Sequence, residues 1–202
     1  ISFILTKLIH LIIVNIDILN LPSWVRFWFP TPGFFLILGI VYYIFNKYLW
    51  KLSIINKLLT VPNLSGAWVG FIKTSHNGNS MNKYIDIKMK IDQTWDQMKI
   101  KAKTKASTSE SKVSWIITDN SDIQLKFEYF NEPDYDSEES LNTHIGYNVF
   151  EIENINNKRI LNGKYFSGRS RKNHGVIKLV KNKPDMDTNE IKEFLETNWK
   201  SI

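Results

Sequence analysis

Tyr84-Ile85-Asp86-Ile87-Lys88-Met89-Lys90-Ile91-Asp92-Gln93 is the stretch on which the fold turns. Successive side chains of an extended chain point to opposite faces. Ile85, Ile87, Met89 and Ile91 therefore share one side, and Tyr84, Asp86, Lys88, Lys90 and Asp92 the other. A helix would scatter both sets. The next segment repeats the pattern, with Met98, Ile100 and Ala102 alternating with Lys99, Lys101, Lys103 and Lys105. On either side lie Gly66–Thr74, a segment marked by Val113, Trp115 and Ile117, another marked by Ile123, Leu125, Phe127 and Tyr129, then 145–152, 159–167 and 175–181. Turn-rich breaks such as His76-Asn77-Gly78-Asn79 separate them. Eight successive antiparallel strands with one apolar face predict an up-and-down barrel, because closure removes the exposed edges. The acidic stretch Asn131–Asn142 is the longest break. Asn189–Trp199 places Ile191, Phe194, Leu195 and Trp199 at helical spacing, so a short helix is expected to pack on the barrel.

The N-terminal part is unlike the rest. Thirty-eight of residues 1–60 are apolar, against 49 of the 142 that follow, which predicts a membrane anchor joined to a soluble module. As a helix, Ile1–Leu21 is about 31 Å long and matches a bilayer core. It lacks the small-residue cleavage site of a signal peptide. After Pro30-Thr31-Pro32-Gly33, a second span is expected from Gly33 through Trp50, with Asn46 and Lys47 near its end. Interfacial aromatics Trp24, Phe27, Trp28, Phe29, Tyr48 and Trp50 flank the pair. The division reads as a two-helix transmembrane hairpin over 1–58 and a β-domain over 59–202. Lys47, Lys51 and Lys57 follow the second span while the connecting loop holds only Arg26, which places the β-domain in the cytoplasm. On the first span Ser2, Thr6, Lys7, His10, Asp17 and Asn20 share one side. That stripe would either meet other copies or pack against the second span.

No residue constellation points to catalysis. The absence of cysteine excludes disulfides and thiolate metal sites. His10, His76, His144 and His174 show no metal-ligand spacing, and no phosphate-binding glycine loop is present. Asp134, Asp136, Glu138 and Glu139 read as a solvated loop rather than a cation site. The expectation is a non-enzyme without metal or cofactor. The net charge of +6 owes as much to the first 60 residues, with five Lys or Arg against Asp17, as to the rest. The informative run is near the C-terminus, where Lys158, Arg159, Lys164, Arg169, Arg171, Lys172, Lys178, Lys181 and Lys183 occur with no acid between Asn154 and Pro184. Alternation sets Leu161, Gly163, Tyr165, Ser167 and Arg169 on one face. Arginine grips phosphate bidentately and tyrosine stacks on a base, so this face suits a nucleotide with one or two phosphates. The competing reading is a solvated basic strand near an anionic membrane. The same alternation adds Arg171, Tyr147, Tyr129 and Trp115 as candidate ligand contacts.

Leu64-Ser65-Gly66-Ala67-Trp68 resembles the Gly-x-Trp opening of lipocalin-like barrels, in which the Trp closes one barrel end and often stacks on an Arg. Taken together, the two apolar segments, Pro62-Asn63-Leu64-Ser65-Gly66-Ala67-Trp68, the eight strands and Gly163-Lys164-Tyr165-Phe166-Ser167-Gly168-Arg169 resemble the two-transmembrane β-barrel effectors of bacterial anti-phage signalling. These are the CBASS type, found with cyclic-oligonucleotide synthases, and the related Panoptes type. The resemblance implies a barrel that binds a cyclic dinucleotide made by a cognate nucleotidyltransferase. It also implies spans that form a homo-oligomer within the lipid of the bacterial inner membrane and breach it, killing the infected cell, with no DNA or RNA polymer as partner. The nucleotide activates in the CBASS type and restrains in the Panoptes type. Tyr165, Ser167 and Arg169 carry over as ligand contacts, and Trp68 as the closing residue. The basic 158–183 region and the acidic 131–142 loop are expected to meet between neighbouring barrels. Two other readings remain open: a membrane-tethered lipocalin-like carrier or sensor of an apolar small molecule, and a structural protein of the envelope.

Overall fold

The structure is a computed structural model that describes residues 34–75, 84–119, 122–136, 142–156, 158–168, 173–182 and 188–197. The chain divides into two compact units, Ile1–Ile55 and Asn56–Ile202. In the first, helix α1 runs Phe34–Lys47 and a 3-10 turn follows at Leu49–Lys51. Helix α2, Ser53–Leu59, begins in this unit and ends in the second. Phe35, Leu36, Ile40, Tyr43 and Ile44 of α1 are all exposed, so the helix is apolar well beyond one narrow face. The helical course runs past Trp50, the end expected for the second span, as α1 followed by the 3-10 turn. Extended backbone at Leu52 then bends the axis by 91° into α2. Among the described residues no single helix is long and apolar enough to cross a membrane, although the bent pair meets the length and composition of a span. The first expected span, Ile1–Leu21, and its polar stripe lie outside the described residues.

The second unit is the barrel. Its strands are β1 Gly66–Thr74, β2 Tyr84–Gln93, β3 Met98–Lys103, β4 Ser107–Asp119, β5 Asp122–Pro133, β6 His144–Ile155, β7 Lys158–Ser167 and β8 His174–Lys181. Each pairs antiparallel with the next, and β1 closes on β8 with Trp68 opposite Lys181. The alternation that predicted β2 and β3 is obeyed: Ile87, Met89, Ile91, Ile100 and Ala102 point in and pack with Leu125, Phe127, Phe150, Leu161, Ile177 and Leu179. Outside, Lys101 pairs with Glu110 at 2.6 Å across β3 and β4. The expected acidic break is shorter than its sequence, since Asn131–Pro133 still belong to β5.

One end is closed by the chain entering β1. Trp68 is fully buried, and its indole Nε1 donates to the Leu64 carbonyl at 2.9 Å. Gln93 fastens the same segment, accepting from the Leu64 N–H at 2.7 Å and donating to the Pro62 carbonyl at 3.1 Å. The Arg159 guanidinium donates to the Asn63 carbonyl, and the Lys181 ammonium lies 5.8 Å from the Trp68 ring centroid. Trp68 is therefore a plug, and the cation over its ring is a lysine. Helix α3, Thr188–Thr197, covers part of the outer wall by burying Ile191 and Leu195 against Phe71 and Val180.

Two strands reverse the faces read from sequence. In β4 the pairing shifts at a bulge between Ser111 and Val113. Ser109 and Ser111 share the inward face with their partners Asn131 and Tyr129, and the extra residue Lys112 then inverts the parity. Val113, Trp115 and Ile117 consequently face outward. In β6, His144, Gly146, Asn148 and Phe150 are buried, which turns Ile145, Tyr147 and Val149 to the outer wall. A one-residue change of parity moves every side chain to the other face. Trp115 and Tyr147 meet each other on that wall, with centroids 5.9 Å apart, rather than entering the interior.

Candidate functional site

Opposite the closed end the barrel contains a cavity of about 830 Å³, within the range of small-ligand sites. Its apolar lining comes from Ile87, Met89, Ile100, Ala102, Phe127 and Ile177. The polar lining comes from Thr74, Ser109, Asn131, His144, Asn148, Tyr165, Ser167 and Asn173. The cavity exists because several inward positions are small. A Cβ added to Gly146 would lie 2.2 Å from the Tyr129 ring, and one added to Gly175 would lie 2.5 Å from the Tyr165 ring. These glycines let the two tyrosines lie across β6 and β8 instead of standing into the space.

The polar groups are held in place by one another. Tyr165 donates its hydroxyl to Thr74 Oγ1 at 2.5 Å, joining β7 to β1. Ser109 donates to Asn131 Oδ1 at 2.8 Å. The Asn142 carbonyl lies 2.9 Å from His144 Nδ1, so that nitrogen carries the proton. The His144 ring meets Tyr129 edge-on at 6.1 Å. Ser167 ties the β7–β8 connection: its hydroxyl donates to the Asn173 carbonyl and accepts from the Asn173 N–H, both at 2.9 Å. Asn148 differs from all of these. It is 5% exposed, it lines the cavity, and its Oδ1 has no hydrogen-bond partner. A buried amide oxygen left unbonded is costly, and a polar ligand group entering the cavity can satisfy it once the amide turns.

Of the eight residues expected as ligand contacts, Tyr129, Tyr165 and Ser167 line this cavity. Trp68 is at the closed end, and Trp115 and Tyr147 are on the outer wall for the reasons of parity given above. Arg169 and Arg171 lie outside the described residues; they belong to the segment whose ends, Ser167 and Asn173, are clamped together. The sequence reading missed Asn148, Asn131, His144 and Asn173. A signal for Asn148 was present: it is the one polar side chain in the run from Ile145 to Phe150. Among the described lining residues Lys105 is the one cation, against Asp86, Asp134 and Asp136. No group of three His, Asp or Glu side chains suited to a metal ion occurs among the described residues.

A closed antiparallel barrel with one plugged end and one polar-lined cavity defines a small-ligand-binding module. The comparison with known families is specific: residues 59–181 match the Cap15 cyclic dinucleotide receptor domain. The chain belongs to that family, a family of cyclic dinucleotide receptors rather than enzymes. It is also 37% identical over 139 residues to CD-NTase-associated protein 15 of Yersinia aleksiciae. That match covers 68% of this chain and 64% of the relative, so the chain spans slightly less than two thirds of the relative's length.

Proposed function

We propose that this protein is a membrane-anchored anti-phage effector whose barrel binds a cyclic dinucleotide from a cognate nucleotidyltransferase. Binding drives assembly of the N-terminal apolar segments, which disrupts the bacterial inner membrane. The observation that carries the reading is the 830 Å³ cavity inside a domain of the cyclic dinucleotide receptor family. Its Asn and Tyr lining suits bases, which offer hydrogen-bonding edges and stacking faces. The phosphodiesters need cations that the described lining supplies only at Lys105, so Arg169 and Arg171 are assigned to them. A purely apolar ligand is disfavoured, because it would leave Asn148 unsatisfied and bury the other polar wall groups against hydrocarbon. The β-domain lies in the cytoplasm, where a nucleotide made in the cell reaches it, and residues 1–58 form the anchor.

In this effector a ligand shifts assembly only through its different affinity for the free and assembled states. Isothermal titration of the full chain in detergent against a panel of cyclic dinucleotides tests the receptor step. The expected result is saturable binding to at least one member. A folded protein that binds none would remove the reading.

A further inference from the structure

While α3 covers part of the β1 and β8 wall, the wall of β4 to β7 carries Val113, Trp115, Ile117, Ile145 and Phe166 at 37% to 58% exposure. Register sets two adjacent outward rows across these strands. One is Val113, Glu128, Tyr147 and Phe166; the next is Trp115, Lys126, Val149 and Lys164. Both rows are mixtures of apolar and charged groups, and they are complementary to each other. We propose that a second copy of this chain packs here, face to face, about a two-fold axis that runs across the strands between the two rows. The inference rests on the assembly part of the function proposed above and adds the surface on which barrels meet.

The symmetry follows from the charges. A two-fold contact joins one patch to itself, so each row must face the other row of the partner. With the axis across the strands, each strand lies antiparallel over its own copy. Lys126 then faces Glu128 of the partner subunit, and Glu128 faces the partner's Lys126. Trp115 covers Val113 of the partner subunit, Tyr147 covers the partner's Val149, and Lys164 lies over the partner's Phe166 as a cation over a ring. An axis along the strands of β5 would instead oppose Lys126 to Lys126 and Glu128 to Glu128, juxtaposing like charges at the centre. Facing sheets pack about 10 Å apart, a spacing that side chains of this size fill. Among the described residues, Lys126 and Glu128 form no ion pair within the barrel. The bulge at Ser111/Val113 is what places Val113 and Trp115 on this wall.

A charge swap tests it. Full-length chain in detergent micelles, with and without the panel of cyclic dinucleotides, is followed by sedimentation, and nucleotide binding is titrated on the same samples. Lys126→Glu and Glu128→Lys should each weaken association about tenfold or more, and the double swap should restore it to within about threefold. Single variants that associate like the parent, a double swap no better than the singles, or a parent that stays monomeric would each overturn the interface. If the variants bind nucleotide normally and associate indifferently, the interface falls and the receptor reading stands. If no nucleotide binds but the swap pattern holds, the interface stands and the receptor reading falls.

Discussion

Asn148 and Arg169 carry the two halves of the ligand hypothesis, base and phosphate. An unsatisfied buried polar group costs about 1–3 kcal/mol. Replacing Asn148, whose Oδ1 lacks a partner, with the similarly sized apolar Leu should therefore hold or raise the melting temperature of the empty barrel. The same change should lower cyclic dinucleotide affinity about tenfold or more, since the nucleotide would then bury a polar edge against methyl groups. Calorimetry of the free protein and titration of the complex read the two effects separately. Equal affinity for variant and parent would remove Asn148 from the site. Arg169→Ala should lose about 2 kcal/mol of binding or more, the worth of a charge-assisted bond to phosphate, with the melting temperature unchanged. Titration at two salt concentrations checks this, because the arginine contribution should shrink at high salt.

The bulge in β4 shows how one element sets the character of two surfaces. Ser109 and Ser111 line the inside, while Val113, Trp115 and Ile117 beyond Lys112 stand outside. Deleting Lys112 should restore unbroken alternation. Because Ser111 and Val113 already pair with the adjacent residues Tyr129 and Glu128, the shortened strand keeps Ser111 inside and Val113, Trp115 and Ile117 outside. The deletion should therefore cost no more than about 1 kcal/mol, a melting temperature lower by at most roughly 5 °C. A thermal melt followed by circular dichroism measures it. A deletion variant far less stable than the parent would show that the fold needs the extra residue itself. The Trp68 plug is a second such device. Trp68→Ala removes a fully buried side chain and its bond to the Leu64 carbonyl, and should cost about 3–5 kcal/mol.

For the assembled protein, the proposal couples a nucleotide in the cavity to damage at the membrane. Full-length chain reconstituted into dye-loaded anionic vesicles should release dye when its cyclic dinucleotide is added, and Arg169→Ala should shift the response to higher nucleotide concentrations. Leakage that occurs equally with and without nucleotide would defeat activation by ligand. Leakage suppressed by nucleotide would instead assign the restraining, Panoptes-type sign. Charge-swapped Lys126→Glu protein should bind nucleotide yet leak less, because assembly is the step it impairs.

Period-two alternation alone specified the strands, as β1 and β2 begin and end where their apolar pattern does. The short C-terminal helix was equally legible from the spacing of Ile191, Phe194 and Leu195. Tyr165 and Ser167 were found for the same reason, since β7 keeps its parity from Leu161 onward. What alternation cannot state is which of its two faces is the inside. That choice depends on register with neighbouring strands, on a single extra residue at Lys112 and on a β6 face that is polar because it lines a cavity rather than a dry core. Only the closed barrel decided that Asn148 and His144 point inward and that Trp115 and Tyr147 do not.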